Sequence, residues 1–126
     1  MADLATDTGL GGLRVLVIED EPLISMLLEE MLLDLECEVV GPFADYDSAS
    51  EASQGGGFDV ALLDLDLAGR NTDPIAGELA RRNHPFAIAS GAPPATDHGA
   101  AAVLPKPFTM DRLAAVLRDL RASLTN

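Results

Sequence analysis

The chain has 126 residues, 48% of them hydrophobic and 23% charged, which is the length and composition of one globular domain with a buried core. Its formal net charge of -13 argues against a nucleic-acid surface, because proteins bind phosphate backbones through clustered Lys and Arg side chains. Cys37 is the only cysteine, so no intrachain disulfide can form, as is common in a reducing compartment. The sequence shows no signal-peptide pattern and no apolar run of about 18 residues. We therefore expect a cytoplasmic protein without membrane insertion.

Short apolar runs predict five β-strands. Several of the runs are apolar almost throughout, and none alternates cleanly, which is typical of strands buried on both faces of a parallel sheet. In chain order they are "LRVLVI" (13–18), "EVV" (38–40), "FDVALL" (58–63), "FAIA" (86–89) and "AAVL" (101–104). The polar segment 1–12, which ends in glycine, is expected to be a flexible lead-in.

Amphipathic segments between these runs predict the helices. Pro22 suits the first turn of a helix whose apolar residues recur at helical spacing. These residues are Leu23, Ile24, Leu27, Leu28, Met31, Leu32 and Leu35. Thr109 is expected to cap a last helix. Weaker patterns favour helices near 45–54 and 72–83, while the segment 93–100 is compatible with a helix, a turn or a mobile loop.

The alternation of strands and helices predicts an α/β fold, a (βα)5 doubly wound parallel sheet of five strands. We expect this domain to span residues 13–122, with residues 123–126 as a short tail. In such sheets ligands bind outside the carboxyl ends of the strands, so polar residues at those ends become the candidate site.

Four predicted strands end in polar residues. These polar residues are Glu19, Asp20 and Glu21 after the first strand, Asp64 and Asp66 after the third, Ser90 after the fourth and Lys106 after the fifth. If the first and third strands are neighbours, their carboxylates converge. Two such charges about 4 Å apart repel by about 4 kcal/mol at an effective dielectric near 20. Oxygen ligands without His or Cys favour Mg²⁺ as the balancing ion.

These residue types complement one another in a phosphoryl transfer to a carboxylate. Asp64, at the end of a buried strand, is the candidate nucleophile, and Glu19 and Asp20 are the candidate metal residues. Lys106 and Ser90 are expected to contact phosphoryl oxygens. In "VLPKPF" two prolines flank Lys106 and restrict its backbone, so the stiff segment is expected to hold this cation over the same pocket.

Four segments together resemble a response-regulator receiver domain. They are "RVLVIEDEP", "DVALLDLDL", "FAIASGA" and "LPKPF", and the likeness covers residues 13 to about 122. The resemblance implies a flavodoxin-like fold with strand order 2-1-3-4-5. It also implies phosphorylation of Asp64 by a sensor histidine kinase or a histidine phosphotransfer protein. Mg²⁺ would be held by Asp20, Asp64 and the backbone carbonyl of Asp66, with Glu19 behind them, and the Lys106–Pro107 bond would be cis.

The same resemblance implies a signalling module rather than an enzyme. It would act as a monomer or weak homodimer by binding a downstream protein target. We expect no DNA-binding output domain.

The sequence departs from the family pattern in three places. Val103 occupies the position where receivers often carry a switching Tyr or Phe. The segment "AGRNTDPIAG" after Asp64 replaces the usual Pro-x-x-Gly turn, so this loop should differ in shape. The stretch "PFAIASGAP" is similar to that of a subgroup of single-domain receivers marked by a Phe-Ala-Thr-Gly sequence.

Two alternatives remain open from the sequence. The segment "LLDLDLAG" also resembles the Asp-x-Asp motif of haloacid-dehalogenase-type phosphatases, in which Asp64 would be the nucleophile and Asp66 the acid/base. That motif normally opens its fold, and too little chain follows it here. The other alternative is a degenerate receiver that binds partners without accepting a phosphoryl group.

Overall fold

A computed structural model describes residues 9–91 and 99–124 of the chain. Its main sheet contains the strands β1 (Arg14–Ile18), β2 (Glu38–Phe43), β3 (Val60–Asp64), β4 (Phe86–Ser90) and β5 (Ala102–Pro105). The helices of the described residues are α1 (Pro22–Asp34), α2 (Tyr46–Gly55), α3 (Asp73–Arg81) and α4 (Met110–Leu124). The five predicted strands and four of the predicted helices are thereby confirmed. Residues 92–98, which include most of the undecided segment 93–100, lie outside the described residues.

All five strands run parallel in the order β2-β1-β3-β4-β5. This is the predicted α/β fold with the predicted strand order. Since β1 and β3 are neighbours, with Ile18 paired to Leu63, the residues that follow them come to the same edge of the sheet. Ser90 at the end of β4 pairs with Pro105 at the end of β5, so Lys106 also lies at that edge.

The strands bury side chains on both faces of the sheet. In β1, Val15 and Val17 pack with α1 and α4, whereas Leu16 and Ile18 pack with α2 and α3. Two-sided burial explains why the strand sequences are nearly continuous apolar runs. Each fully buried Leu or Ile contributes about 1.5–3 kcal/mol relative to an exposed one, so the strand ends are held by a stable scaffold.

Helix α1 buries a narrower stripe than its sequence pattern predicted. Leu28 and Leu32 are buried in the core, as expected. Leu23, which belonged to the predicted apolar face, is 80% exposed, and Met26 and Leu33 are each 58% exposed. Leu27, also on the predicted face, is 39% exposed. The prediction was wrong for Leu23 and Leu27 because apolar side chains occur around most of the helix, so their spacing does not single out one face.

The packed chain extends beyond the expected domain limits at both ends. Leu10 belongs to the segment 1–12 that was expected to be flexible, yet its side chain is fully buried. At the other end, α4 continues to Leu124, two residues past the expected limit at 122. The Ser123 hydroxyl donates to the Asp119 carbonyl, 3.2 Å away, a helical contact. Thr109 caps this helix as predicted, because its Oγ1 accepts a hydrogen bond from the Arg112 amide.

Among the helices that the structure describes, none is long and apolar enough to cross a lipid bilayer.

Candidate functional site

Three carboxylates converge at the carboxyl edge of the sheet. Glu19, Asp20 and Asp64 each place one oxygen within 4.8 Å of the others. Adjacent strands position them, because Glu19 and Asp20 follow β1 and Asp64 ends β3. The Glu19 amide also donates to the Phe43 carbonyl of β2 at 3.1 Å, which fixes the turn after β1. The predicted acidic cluster is therefore present.

Lys106 reaches this cluster from the end of β5. Its Nζ lies 2.8 Å from Glu19 Oε1 and 3.2 Å from Asp64 Oδ2. The Lys106–Pro107 peptide bond is cis, as expected, and the Lys106 amide donates to the Ser90 carbonyl at 2.8 Å. Lys106 is the single lysine among the 126 residues. The chain thus places its one ammonium side chain against its acidic site.

Burial divides the three carboxylates into an inner and an outer set. Glu19 is only 1% exposed, while Asp20 and Asp64 are partly exposed. Both oxygens of Glu19 are engaged, since Oε1 accepts from Lys106 and Oε2 accepts from the Glu21 amide at 3.1 Å. Because Asp20 and Asp64 are partly exposed and Glu19 is buried, Asp20 and Asp64 are the carboxylates that an incoming ion can reach, with Glu19 behind them.

The electrostatics of the cluster favour an additional cation. Burial raises the pKa of Glu19 above its ordinary value, and the Asp64 charge adds to this while Lys106 opposes it. Burial acts to lower the pKa of Lys106, but hydrogen bonding to Glu19 and the charges of Asp64 and Glu19 outweigh it, so the pKa is raised. When all three acids are ionised, their charge of -3 and the +1 of Lys106 leave -2, the charge that one divalent ion would neutralise.

The donor set fits Mg²⁺. This ion binds oxygen ligands at about 2.0–2.1 Å, so two oxygens on it lie at most about 4.2 Å apart. The cluster oxygens lie within 4.8 Å of one another, which is close to that separation. The ligands are all oxygen atoms, and a partly exposed position leaves room for the waters that Mg²⁺ retains.

The loop after Asp64 forms a hairpin over the site. Asp66–Leu67 pairs antiparallel with Arg70–Asn71, and the turn between them has positive φ at both Ala68 (51°) and Gly69 (86°). The Ala68 amide donates to Asp20 Oδ2 at 2.8 Å, which ties the hairpin to the acidic cluster. An unusual shape for this loop was expected, but nothing in the sequence pattern specified a hairpin.

The hairpin is also attached to α2. The guanidinium group of Arg70 lies 3.9 Å from the ring centroid of Tyr46. It also lies 3.5 Å from Asp47 Oδ1. Asp66 itself is exposed, and its amide donates to Asp64 Oδ1 at 3.1 Å. These contacts hold the backbone of Asp66 beside the Asp64 carboxylate.

The other predicted residues occupy the expected strands. Ser90 ends β4 and is partly buried beside Lys106. Val103 lies on β5, is 37% exposed and is paired with Ile88 of β4.

One further polar residue at the site, Thr72, was not predicted. Its side chain is fully buried and donates to the Asp64 carbonyl at 2.7 Å. A threonine just before a predicted helix reads as an ordinary cap, so the sequence carried no signal for this contact.

Comparison with known proteins agrees with this geometry. The family model of the response regulator receiver domain matches residues 15–118. The chain belongs to this family. As a receiver domain it is a signalling module of two-component systems, and this decides against the phosphatase fold.

The chain is 35% identical over 117 residues to the transcriptional regulatory protein TcrA of Mycobacterium tuberculosis, covering 86% of this chain and 46% of TcrA. The receiver chain thus spans about half the length of the curated relatives it matches.

Solved structures show the same fold. The solution structure of SdrG from Sphingomonas melonis Fr1 is 35% identical, with a TM-score of 0.71, and covers 91% of this chain and 98% of that one. The receiver domain of sensor histidine kinase PA1611 from Pseudomonas aeruginosa has a TM-score of 0.79 at 23% identity, covering 89% and 99% of the two chains. That crystal structure holds a magnesium ion coordinated in the active site cleft.

Proposed function

We propose that this receiver domain takes a phosphoryl group onto Asp64 from a phosphorylated histidine of a sensor kinase or phosphotransfer protein. The observation that carries the proposal is the convergence on Asp64 of an acidic cluster suited to Mg²⁺ and the chain's single lysine. An incoming phosphoryl group is negative, so a carboxylate can attack it only when nearby cations reduce the repulsion. The free, buried Cys37 suits a cytoplasmic location for this exchange.

In the transfer step, a carboxylate oxygen of Asp64 forms a bond to phosphorus while the bond from phosphorus to the donor nitrogen breaks. The product is an acyl phosphate, and the donor histidine keeps the electron pair of the broken bond. Lys106 Nζ, 3.2 Å from Asp64 Oδ2, donates a hydrogen bond to a phosphoryl oxygen. Asp20, Asp64 and the backbone carbonyl of Asp66 would hold Mg²⁺. The ion, when bound, supplies charge neutralisation at the phosphoryl oxygens.

Signalling follows from the position of Ser90 next to Lys106. The Ser90 hydroxyl donates to a second phosphoryl oxygen, a contact that exists only in the phosphorylated state. A hydrogen bond to a charged group contributes about 1.5–3 kcal/mol, and a preference of that size shifts a two-state ratio about ten- to hundredfold. Helix α4 begins four residues after Lys106, so a downstream protein would recognise the change on that side of the domain. Val103 contributes no aromatic ring to this switch.

The donor protein docks on helix α1 in this proposal. Leu23, Met26 and Leu27 lie at i, i+3 and i+4, and they are 80, 58 and 39% exposed. This apolar strip begins three residues after Asp20, so it borders the acidic site. A helix that carries the phosphorylated histidine can bury the strip while its imidazole faces Asp64.

The test is an NMR titration of the ¹⁵N-labelled protein with Mg²⁺ and beryllofluoride, which mimics an acyl phosphate. We expect the amide signals of Asp64, Ser90 and Lys106 to shift together and to saturate, and the Asp64→Asn protein to show no such change. A wild-type spectrum unaffected by beryllofluoride would support the alternative of a degenerate receiver that binds partners without accepting a phosphoryl group.

A further inference from the structure

One buried hydroxyl contacts the acceptor strand directly. Among the described residues, the buried polar or charged side chains are Glu19, Ser53 and Thr72. Glu19 belongs to the acidic cluster, and Ser53 bonds to Ser50 within its own helix. Thr72 instead reaches across eight residues of chain, and its Oγ1 donates to the carbonyl oxygen of Asp64 at 2.7 Å.

Thr72 holds two consecutive residues of the acceptor segment. Its hydroxyl binds the Asp64 carbonyl, and its amide donates to the Leu65 carbonyl at 2.9 Å. The side chain of Asp64 projects from this backbone, so fixing the peptide groups that follow it fixes the direction of the Cα–Cβ bond from which the carboxylate extends. The amide of Asp66, which donates to Asp64 Oδ1, lies in the same held segment.

The Thr72 hydroxyl does not make the hydrogen bond that is usual for a threonine at the start of a helix. Thr72 is the N-cap residue of α3, where a threonine side chain commonly accepts a hydrogen bond from a helix amide. Here its side chain makes no capping bond. Asn71 Oδ1 accepts from the Asp73 amide at 2.7 Å, so a neighbouring side chain binds the first amide of the helix. The threonine hydroxyl is thereby available to the acceptor strand.

We infer that Thr72 is a positioning residue for phosphoryl transfer, which orients the Asp64 carboxylate toward Lys106 and the metal ligands by holding the Asp64 carbonyl. The inference rests on the proposed function of Asp64. Thr72 does not touch the phosphoryl group. Its effect is on the rate at which Asp64 is phosphorylated.

The chain offers matched variants. Thr72→Val removes the hydroxyl and keeps the β-branched shape, whereas Thr72→Ser keeps the hydroxyl. Thr72→Ala removes the hydroxyl without adding a methyl group in its place. Ser53→Ala is the control, because it deletes another fully buried hydroxyl whose bond to a carbonyl is also 2.7 Å long, but in α2 and away from Asp64.

The experiment measures phosphoryl uptake from acetyl phosphate at saturating Mg²⁺ by intact mass against time. Thermal unfolding of each variant is recorded under the same conditions. We expect Thr72→Val and Thr72→Ala to react about tenfold more slowly than wild type, the loss expected when one buried hydrogen bond that orients the reacting residue is removed. Thr72→Ser and Ser53→Ala should react at nearly the wild-type rate.

Several results would overturn the inference. One is a wild-type rate in Thr72→Val, and another is an equal slowing in Ser53→Ala, which would reflect loss of any buried hydroxyl. Loss of the folded state in both hydroxyl-free variants would also contradict it, because the bond would then be needed for folding itself. Failure of the wild-type protein to take up a phosphoryl group is a separate result, which would contradict the proposed function instead.

Discussion

Lys106 and Glu19 are 87 residues apart in the chain, yet Lys106 Nζ lies 2.8 Å from Glu19 Oε1. Only 1% of the Glu19 side chain and 17% of the Lys106 side chain are exposed. A buried carboxylate is costly unless a cation and hydrogen bonds accompany it. Lys106 therefore has a structural role of its own, and its second contact, to Asp64, links that role to the proposed acceptor.

Replacement of Lys106 should destabilise the protein in the absence of Mg²⁺. We expect Lys106→Met to lower the free energy of unfolding by about 2 kcal/mol, because Glu19 stays buried and loses its cation. Urea unfolding at neutral pH measures this difference. Arg14→Gln is the control, since the Arg14–Asp59 pair is far more exposed and should contribute much less to stability. Equal stability of Lys106→Met and wild type would show that the fold does not depend on the contact.

Mg²⁺ should stabilise the folded chain through Asp20 and Asp64. A ligand that binds only the folded state, present at a hundredfold excess over its Kd, adds about 2.7 kcal/mol and raises the unfolding temperature by several degrees. We expect this shift in wild type and a much smaller one in Asp20→Asn. Asp66→Asn keeps its backbone carbonyl and should respond nearly as wild type does. A full Mg²⁺ response in Asp20→Asn would contradict the ligand assignment.

Stability should fall on mild acidification because of His84. Burial lowers the pKa of His84, aided by Arg82 and opposed by Asp59. The unfolded chain therefore binds a proton more readily, so the stability contributed by His84 is present above about pH 6.5 and is lost as the pH falls through its folded value. The His84 ring centroid lies 4.4 Å from that of Phe58, so His84→Phe should keep the packing and lose the titration.

The measurement for His84 is urea unfolding at about pH 7 and about pH 5.5, on either side of the ordinary histidine pKa. The decrease in stability between the two should be larger in wild type than in His84→Phe. Equal decreases in both proteins would mean that His84 does not titrate differently on folding.

Adjacent leucines of α1 should differ sharply in their contribution to stability. Leu32 is fully buried and Leu33 is 58% exposed. We expect Leu32→Ala to cost about 2–5 kcal/mol, whereas Leu33→Ala should change stability by about 0.5 kcal/mol or less. Thermal or urea unfolding of the two variants measures the contrast. Similar losses in both would mean that the exposed side of α1 is packed against something in solution, such as a second copy of the chain.

Much of the fold could be predicted from the sequence because burial leaves a direct pattern. Strands covered on both faces must be apolar along their whole length, and the residues after them must then share one edge. The convergence of Glu19, Asp20 and Asp64 also required the first and third strands to be neighbours, an order that the resemblance to receiver domains implied. Lys106 followed from its position after the last strand and from the two prolines beside it.

Other features could not be predicted, for reasons that are also physical. Helix α1 is apolar on most sides, so hydrophobic spacing did not reveal that Leu23 and Met26 are exposed. The hairpin after Asp64 depends on positive φ at Ala68, a conformation that alanine seldom adopts and no sequence rule would assign to it. Thr72 occupies a standard capping position, and only the three-dimensional path of the loop turns its hydroxyl toward Asp64.

The central claim is that Asp64 accepts a phosphoryl group, and intact mass spectrometry after incubation with acetyl phosphate and Mg²⁺ tests it most directly. The account predicts that wild type gains the mass of one phosphoryl group, that hydroxylamine removes it as expected for an acyl phosphate, and that Asp66→Asn behaves likewise. Asp64→Asn should gain nothing. An unchanged wild-type mass, or an equal gain in Asp64→Asn, would contradict the account.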